Sequence, residues 1–408
     1  MKKKKIINDP LYGFINIPAG LIFQIIEHPS FQRLRRIRQL GLSDLVYPGA
    51  LHTRFHHAVG AMHLMRLSLE NLRSKGVNIS DHEMESAMAG ILLHDVGHAP
   101  FSHALEYSIL KNVPHENVSL LLMRKLNDEF GGRLDTAISM FDNKYPRPFF
   151  HQLISSQLDV DRLDYLQRDS FYTGVHEGTI GADRIIKMLN VVEEKLVVEE
   201  KGIYSVENFL VSRRLMYWQV YLHKASVAAE AMLISLLARA KTVYDQDRKP
   251  DIPEGLAYFF ENEVGMEDLK TGEALQTFVN LDDFDIFGAV KAWTRSHDPV
   301  LSTLSAMIVN RKLFRVILSE EPFEPELKER LKAKVSEHFG IGPEETAHML
   351  LEGQVSNEVY VGQGQGITVL KKNGELEDIV TATDLPNIAA MTKIVKKHYL
   401  CWPKIVSL

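Results

Sequence analysis

The stretch Gly90-Ile91-Leu92-Leu93-His94-Asp95-Val96-Gly97-His98 decides how this chain is read. Upstream of it, Glu83 to Leu93 is apolar on nearly every side, the pattern of a buried helix rather than a surface one. A charged doublet at the end of a buried helix has to be paired or ligated, because an unpaired buried charge is very costly. Imidazole nitrogen with carboxylate oxygen suits a divalent ion such as Mn, Fe, Ni, Zn or Mg. Two residues do not complete a site. His57, in Arg54-Phe55-His56-His57, and Asp161, in Asp159-Val160-Asp161-Arg162-Leu163-Asp164-Tyr165, are the candidates to join His94 and Asp95. The blander alternative makes each His a satisfied core residue and Asp161 a surface carboxylate. His56 is the neighbour with which His57 is most easily confused.

Outward from this stretch, most of the first three hundred residues read as helices. Phe209 to Thr242 carries Leu, Met, Ala and Val at helical spacing without Pro or Gly. A β-hairpin is expected over Leu196–Val206, turning near Lys201-Gly202. Pro250, Pro253 and Gly255 mark a loop. From about Pro322 the texture changes: Val359-Tyr360-Val361 and Ile367–Leu370 are strand-like, and Asn373-Gly374 is a hairpin turn leading to Ile379-Val380-Thr381. The expected fold is mainly α, a helical body over residues 1–320 with a small β-hairpin, then a minor α+β subdomain over residues 321–408.

The 408 residues are 45% hydrophobic and 25% charged, an ordinary globular composition. No window approaches the length of apolar sequence a membrane span needs. The start, Met1 followed by four lysines and then Ile6-Ile7, turns at Asn8-Asp9-Pro10 and lacks the apolar stretch of a signal peptide. One cysteine, Cys401, rules out an internal disulfide or a cysteine metal cluster and suits a reducing cytoplasm. A formal charge of −6 disfavours nucleic-acid binding driven by bulk charge.

After the doublet, Pro100 can occupy the first turn of a new helix. His103 and Glu106 then share a face three residues apart. A carboxylate beside an imidazole raises its pKa and keeps it able to give a proton near neutral pH. Asp161, Tyr165 and Asp169 fall at steps of four and project from one side of a helix. That stripe can hold a metal, a sugar ring and a sugar hydroxyl in turn, or it can simply face water while Leu158, Leu163 and Leu166 face the core. The run Arg33–Arg38 alone reads as a solvated helix face.

His57, His94-Asp95 and Asp161 match the H…HD…D signature of the HD phosphohydrolase superfamily. Phe31-Gln32-Arg33-Leu34-Arg35, Gln39-Leu40-Gly41, Pro48-Gly49-Ala50, Arg54–His57, His94–His103 and Asp159–Asp169 follow in the right order. Together they resemble the deoxynucleoside triphosphate triphosphohydrolase branch, whose vertebrate member carries an added sterile-alpha-motif domain. The likeness is strong from about Asn8 to Lys224, weak to about Leu318, and nothing is carried from it beyond.

The resemblance implies metal ligation by His57, His94, Asp95 and Asp161. It places His98, His103, Glu106 and His115 around the α-phosphate, with His103 as the acid. The branch often has Asp where this chain has Glu106, and His115-Glu116 also reads as a plain helix start. Arg54, Arg162 and Tyr221 match positions that contact triphosphate oxygens, where guanidinium forks suit phosphate. Gln39 and Leu40 match the pair that reads the sugar, Leu40 crowding a ribose 2′-hydroxyl. Glu27, Gln32 and Arg35 fall where the vertebrate member holds a guanine activator, with Glu27 in place of its Asp. His223, Lys224 and Arg311 match basic positions of a neighbouring activator pocket. Those pockets form between subunits, which implies a homo-oligomer, a dimer or tetramer.

The reaction implied is metal-dependent hydrolysis of a deoxynucleoside triphosphate to deoxynucleoside and tripolyphosphate. Two rivals use the same metal core, a nucleoside monophosphatase or phosphodiesterase and a non-catalytic nucleotide sensor. A monophosphatase has no need of Gln39, Leu40, Tyr165, Asp169 and Tyr221. A retired enzyme would be expected to have lost a ligand or an acid. Single-stranded nucleic-acid binding lacks an aromatic-plus-basic stripe.

Overall fold

Four helices carry most of the residues singled out above: α1 (Arg54–Ser74), α2 (Asp81–Leu93), α3 (His115–Glu129) and α4 (Val160–Thr173). They belong to a computed structural model that describes residues 5–102, 105, 108–246, 250–357, 366–385, 388 and 394–408. The fold is mainly α with small sheets. Each helix start has its own local cause. At α1 the Thr53 amide donates to His56 Nδ1 at 3.1 Å, which gives His56 a capping role. At α2, Ser80 and Glu83 form a reciprocal capping box. At α4, Asp159 Oδ1 accepts from the Arg162 amide at 2.7 Å, and Gly174 closes the helix with a left-handed φ of 74°.

α1 packs against both α2 and α4. Ser86 to Leu93 is buried without a break, as the all-round apolar pattern requires. Burying each large aliphatic side chain there stabilises by roughly 1.5–3 kcal/mol. Gly60 lets the polar side of α4 seat on α1: a Cβ on it would lie 2.1 Å from Asp164 Oδ1 and 2.2 Å from Arg168 Nη2.

The sequence reading of the N-terminus found a turn but not its strands. β1 (Lys5–Asp9) and β2 (Gly13–Ile17) pair antiparallel, with Asp9 opposite Gly13. Asp9 Oδ1 accepts from the amides of Leu11 and Tyr12 at 2.9 and 3.0 Å, which is what closes the turn.

The expected hairpin at Lys201-Gly202 is displaced. Its strands are β3 (Leu189–Val192) and β4 (Lys195–Glu199), and Glu193-Glu194, both with positive φ, make the turn. Gly202 serves space rather than turn geometry, since a Cβ there would lie 2.6 Å from Val198 Cγ1 and 2.8 Å from Met188 Cβ. Ile203 begins helix α5 (Ile203–Met216) instead of a strand. The run from Phe209 to Thr242 is also broken despite lacking Pro and Gly. A wider turn covers Tyr217–Tyr221, and α6 (Lys224–Asp245) starts afresh with the His223 side chain accepting from the Ala225 amide.

The Arg33–Arg38 run is a solvated helix face only in part: Arg35 and Arg36 are exposed on a short helical turn, while Arg33, Leu34 and Ile37 are buried. Arg33 is buried and donates to the carbonyls of Leu281 and Val96, while Arg36 pairs with Asp282 at the start of α7 (Asp283–Trp293). Arg36 and Asp282 are matched across 246 residues of sequence, which local periodicity does not reveal, while Arg38 pairs nearby with Asp44 at 2.6 Å.

In the C-terminal part, β5 (Arg315–Ser319), β9 (Val395–Trp402) and β6 (Leu351–Asn357) form an antiparallel sheet in the order β5-β9-β6. β7 (Thr368–Leu370) pairs parallel with β4 and antiparallel with β8 (Leu376–Asp378). Strands on both sides of residue 320 therefore share sheets. The Asn373-Gly374 turn forms as expected, but Ile379–Ala382 is a helical turn capped by Asp378 rather than a returning strand. The strand expected at Val359–Val361 lies outside the described residues. Among the described residues, no single helix is long and apolar enough to cross a membrane.

Candidate metal centre

The C-terminal end of α2, the first turns of α1 and the start of α4 bring four side chains together. His57 Nε2 lies 3.0 Å from Asp161 Oδ1 and 3.4 Å from His94 Nε2. His94 Nε2 lies 3.2 Å from Asp95 Oδ1 and 3.5 Å from Asp161 Oδ1. Asp95 Oδ2 is 3.7 Å from His57 Nε2. A cation with bonds of about 2.1 Å holds adjacent ligand atoms roughly 3.0–3.4 Å apart, so His57, His94 and Asp161 converge closely enough to hold one divalent ion, while Asp95 meets that set at His94 and also converges with His98 and His115.

The imidazoles are already oriented for that task. His57 Nδ1 donates to Asp164 Oδ2 at 2.8 Å, and His94 Nδ1 donates to the Ile91 carbonyl at 2.6 Å. Each leaves Nε2 facing the cluster, the arrangement in which an outer partner fixes tautomer and ring angle. The electrostatics agree. Burial opposes a positive charge on His57, yet hydrogen bonds to Asp161 and Asp164 outweigh it and pull its pKa up to about 10. Burial likewise opposes ionisation of Asp161 and Asp95. The imidazoles, with Arg54 beside Asp95, still hold both carboxyls well below the usual range. A site that draws a proton so strongly into the interior favours a cation there.

Asp164 is the residue that sequence reading missed. Arg168 Nε and Nη2 donate to its two oxygens, each at 2.9 Å, and Arg168 Nη1 donates to Asp9 Oδ2 at 2.8 Å. His57, Asp164, Arg168 and Asp9 thus form one buried chain of alternating charge from the cluster to the N-terminal hairpin. Asp164 and Arg168 stand four apart on a helix, the spacing of an ion pair, and that was the available signal.

A cavity of about 390 Å³ opens beside the cluster, lined by Asp95 and Asp161. Arg54, His98 and His115 also line it. Arg54 pairs with Asp95 through Nη1 and donates from Nε to Ser102 Oγ at 2.9 Å, and neither bond uses Nη2. His98 and His115 have ring centroids 3.7 Å apart, and with Asp95 they form a second group of converging donor atoms. Gly97 makes that approach feasible, because a Cβ on it would lie 2.5 Å from the His115 carbonyl and 2.3 Å from the Ser119 amide. Pro100 lies in a turn rather than in the first turn of a helix, since Phe101 and Ser102 follow with positive φ. His103 and Glu106 lie outside the described residues.

Gln39, Leu40, Tyr165, Asp169 and Tyr221 line the same cavity. Tyr221 Oη donates to Asp169 Oδ2 at 2.8 Å, and Asp169 Oδ1 meets His52 Nε2 at 2.7 Å. His52, buried and stacked on Tyr172, was also missed by sequence reading. Arg162 does not line the cavity and pairs with Asp159 at 2.7 Å. The activator candidates fall in two places. Glu27 and Gln32 line one surface hollow, with Arg35 donating to Gln32 and stacking on Phe55. His223 and Lys224 line another, while Arg311 donates to the Leu45 carbonyl.

Residues 54–169 match the HD domain model and residues 180–250 the HD associated region. YwfO of Bacillus subtilis is 34% identical over 328 residues, covering 78% of this chain and 72% of that protein. The deoxynucleoside triphosphate triphosphohydrolase SAMHD1 homolog of Dictyostelium discoideum is 29% identical over 258 residues, 59% of this chain and half of its own length. A crystal structure of a phosphohydrolase from Bacteroides thetaiotaomicron superposes with a TM-score of 0.95 at 49% identity, covering 98% of this chain and 100% of that one. With the HD domain model matched and relatives aligned over most of its length, the chain belongs to the HD-domain phosphohydrolase superfamily.

Proposed function

We propose that this protein hydrolyses deoxynucleoside triphosphates to deoxynucleoside and tripolyphosphate. The observation that carries the reading is a single cleft with a cationic, metal-ligating part and a hydroxyl- and aromatic-lined part. His57, His94, Asp95 and Asp161 would hold the ion, which when bound polarises a phosphoryl oxygen and lowers the pKa of water. Arg54, locked by Asp95 and Ser102, would bind a phosphate oxygen through Nη2. His98 and His115 would flank the α-phosphate, and His103 with Glu106 would deliver a proton to the departing 5′ oxygen. Tyr165 would pack on the sugar, Leu40 would exclude a 2′-hydroxyl, and the Tyr221–Asp169–His52 chain would take the sugar's 3′-hydroxyl. Arg162 would act on the phosphate tail after exchanging its Asp159 partner. A nucleotide activator between subunits, engaging Glu27, Gln32 and Arg35 or His223, Lys224 and Arg311, belongs to the same proposal. The test is to incubate the metal-loaded protein with each of the four deoxynucleotides, singly and mixed, and separate the products by ion exchange. Release of orthophosphate or pyrophosphate would mean cleavage at an anhydride bond and would overturn the proposal, as would no turnover of any of the four; turnover of deoxynucleoside monophosphates alone would support a monophosphatase instead.

A further inference from the structure

Glu230 is a titratable group in the cleft that none of the roles above uses. It is the contribution of α6 to the lining, close to Gly41, with Oε1 4.0 Å from where a Cβ on Gly41 would sit. Among the described residues no hydrogen bond or ion pair engages it, and it stands outside both groups of converging metal donors. Gln39, Leu40, Gly41, Phe101 and Leu222 line the same cavity, and the Gln39 Oε1 atom is buried without a partner.

A carboxyl with no cation beside it among the described residues, charged or neutral, gives a triphosphate no positive charge to pair with. This part of the cleft therefore suits the uncharged end of a substrate. On the reading of the cleft as a nucleotide site, we infer that Glu230 holds the nucleobase, its carboxyl pairing with an adjacent donor and acceptor on the base edge. Burial pushes its pKa up to about 7, so near neutral pH the carboxyl is protonated in a large share of molecules. In that form it offers one O–H donor and one carbonyl acceptor. Every base presents a complementary neighbour pair on its pairing edge: N6–H and N1 of adenine, N4–H and N3 of cytosine, N1–H and O6 of guanine, N3–H and O4 of thymine. One side chain thus anchors all four bases without selecting among them.

The experiment compares kcat/KM of wild type, Glu230→Gln and Glu230→Ala on the four deoxynucleoside triphosphates and on 2-deoxyribose 5-triphosphate, which lacks a base. Glutamine keeps one donor and one acceptor, so Glu230→Gln should stay within a few-fold of wild type on all substrates. Glu230→Ala should lose about ten- to hundredfold on all four deoxynucleotides. On the baseless triphosphate it should match wild type. Equal losses on the baseless and base-bearing substrates, or no loss on either, would overturn the inference while leaving the proposed reaction standing. No turnover of any triphosphate by wild type would instead sink the proposed reaction, and the inference with it.

Discussion

Replacing Asp164 by asparagine separates the metal's support from its ligands. Asp164 accepts from His57 Nδ1 and from two nitrogens of Arg168, all at 2.8–2.9 Å, and the side chains are fully buried. Asparagine keeps the shape but turns an amide NH₂ toward donors and removes the negative charge. Breaking a buried ion pair from one side typically costs about 3–5 kcal/mol, and Asp9 still partners Arg168, so the lower figure applies. With roughly 2.1 cal/mol/K of unfolding entropy per residue over 408 residues, about 3 kcal/mol corresponds to a Tm lower by roughly 3–4 °C. Loss of the partner that orients His57 should also weaken metal binding tenfold to a hundredfold. The assay is a chelator-buffered Mn²⁺ titration of both proteins beside calorimetric melting of the metal-free forms. A Tm drop with a Kd within twofold of wild type would refute the argument, leaving Asp164 a purely structural residue.

Asp161→Ala and Asp95→Ala should each remove bound metal and turnover while the helical circular dichroism persists; full metal occupancy by elemental analysis would exclude that residue from the site. Gly97→Ala should destabilise by about 1–3 kcal/mol and lower activity, because its Cβ would press on the His115 carbonyl and Ser119 amide, and denaturant unfolding checks the first part. Burial opposes ionisation of Glu83, but hydrogen bonds from Ser80, Arg147 and Tyr145 draw its pKa down to about 2. Its stabilisation is therefore complete above the ordinary carboxyl pKa and is lost as pH falls toward 2, so Glu83→Gln should cost most stability at pH 7 and least near pH 2. Wild type should prefer dATP over ATP by roughly tenfold to a hundredfold in kcat/KM, the range for one buried unpaired hydroxyl, and Leu40→Ala should narrow the ratio.

The gathering of His57, His94, Asp95 and Asp161 was legible because each candidate ligand sits in a local pattern that survives without coordinates: a doublet ending an all-apolar helix, a helix start, an i, i+4 stripe. What failed to show has a common physical cause. Arg33 looked solvated because the carbonyls of Leu281 and Val96 that take up its buried guanidinium lie far off in sequence. The break at Leu222-His223 carries no Pro or Gly, so propensity ran a single helix straight through it. Gly202 was taken for a turn when packing against Met188 and Val198 is what demands it. Glu230 could not be singled out, since a glutamate among alanines on a helix is unremarkable until the fold turns it toward a cleft.

The buried run Asp9–Arg168–Asp164–His57 makes the candidate cation site and the amino-terminal hairpin two ends of one equilibrium. Whatever the ion gains from a well-held His57 it must return, by reciprocity, as firmer docking of β1. Loading with metal should thus slow hydrogen exchange at Ile7 and Ile15, across the hairpin from any ligand, and trimming the first strand should loosen the ion without touching a single atom that binds it.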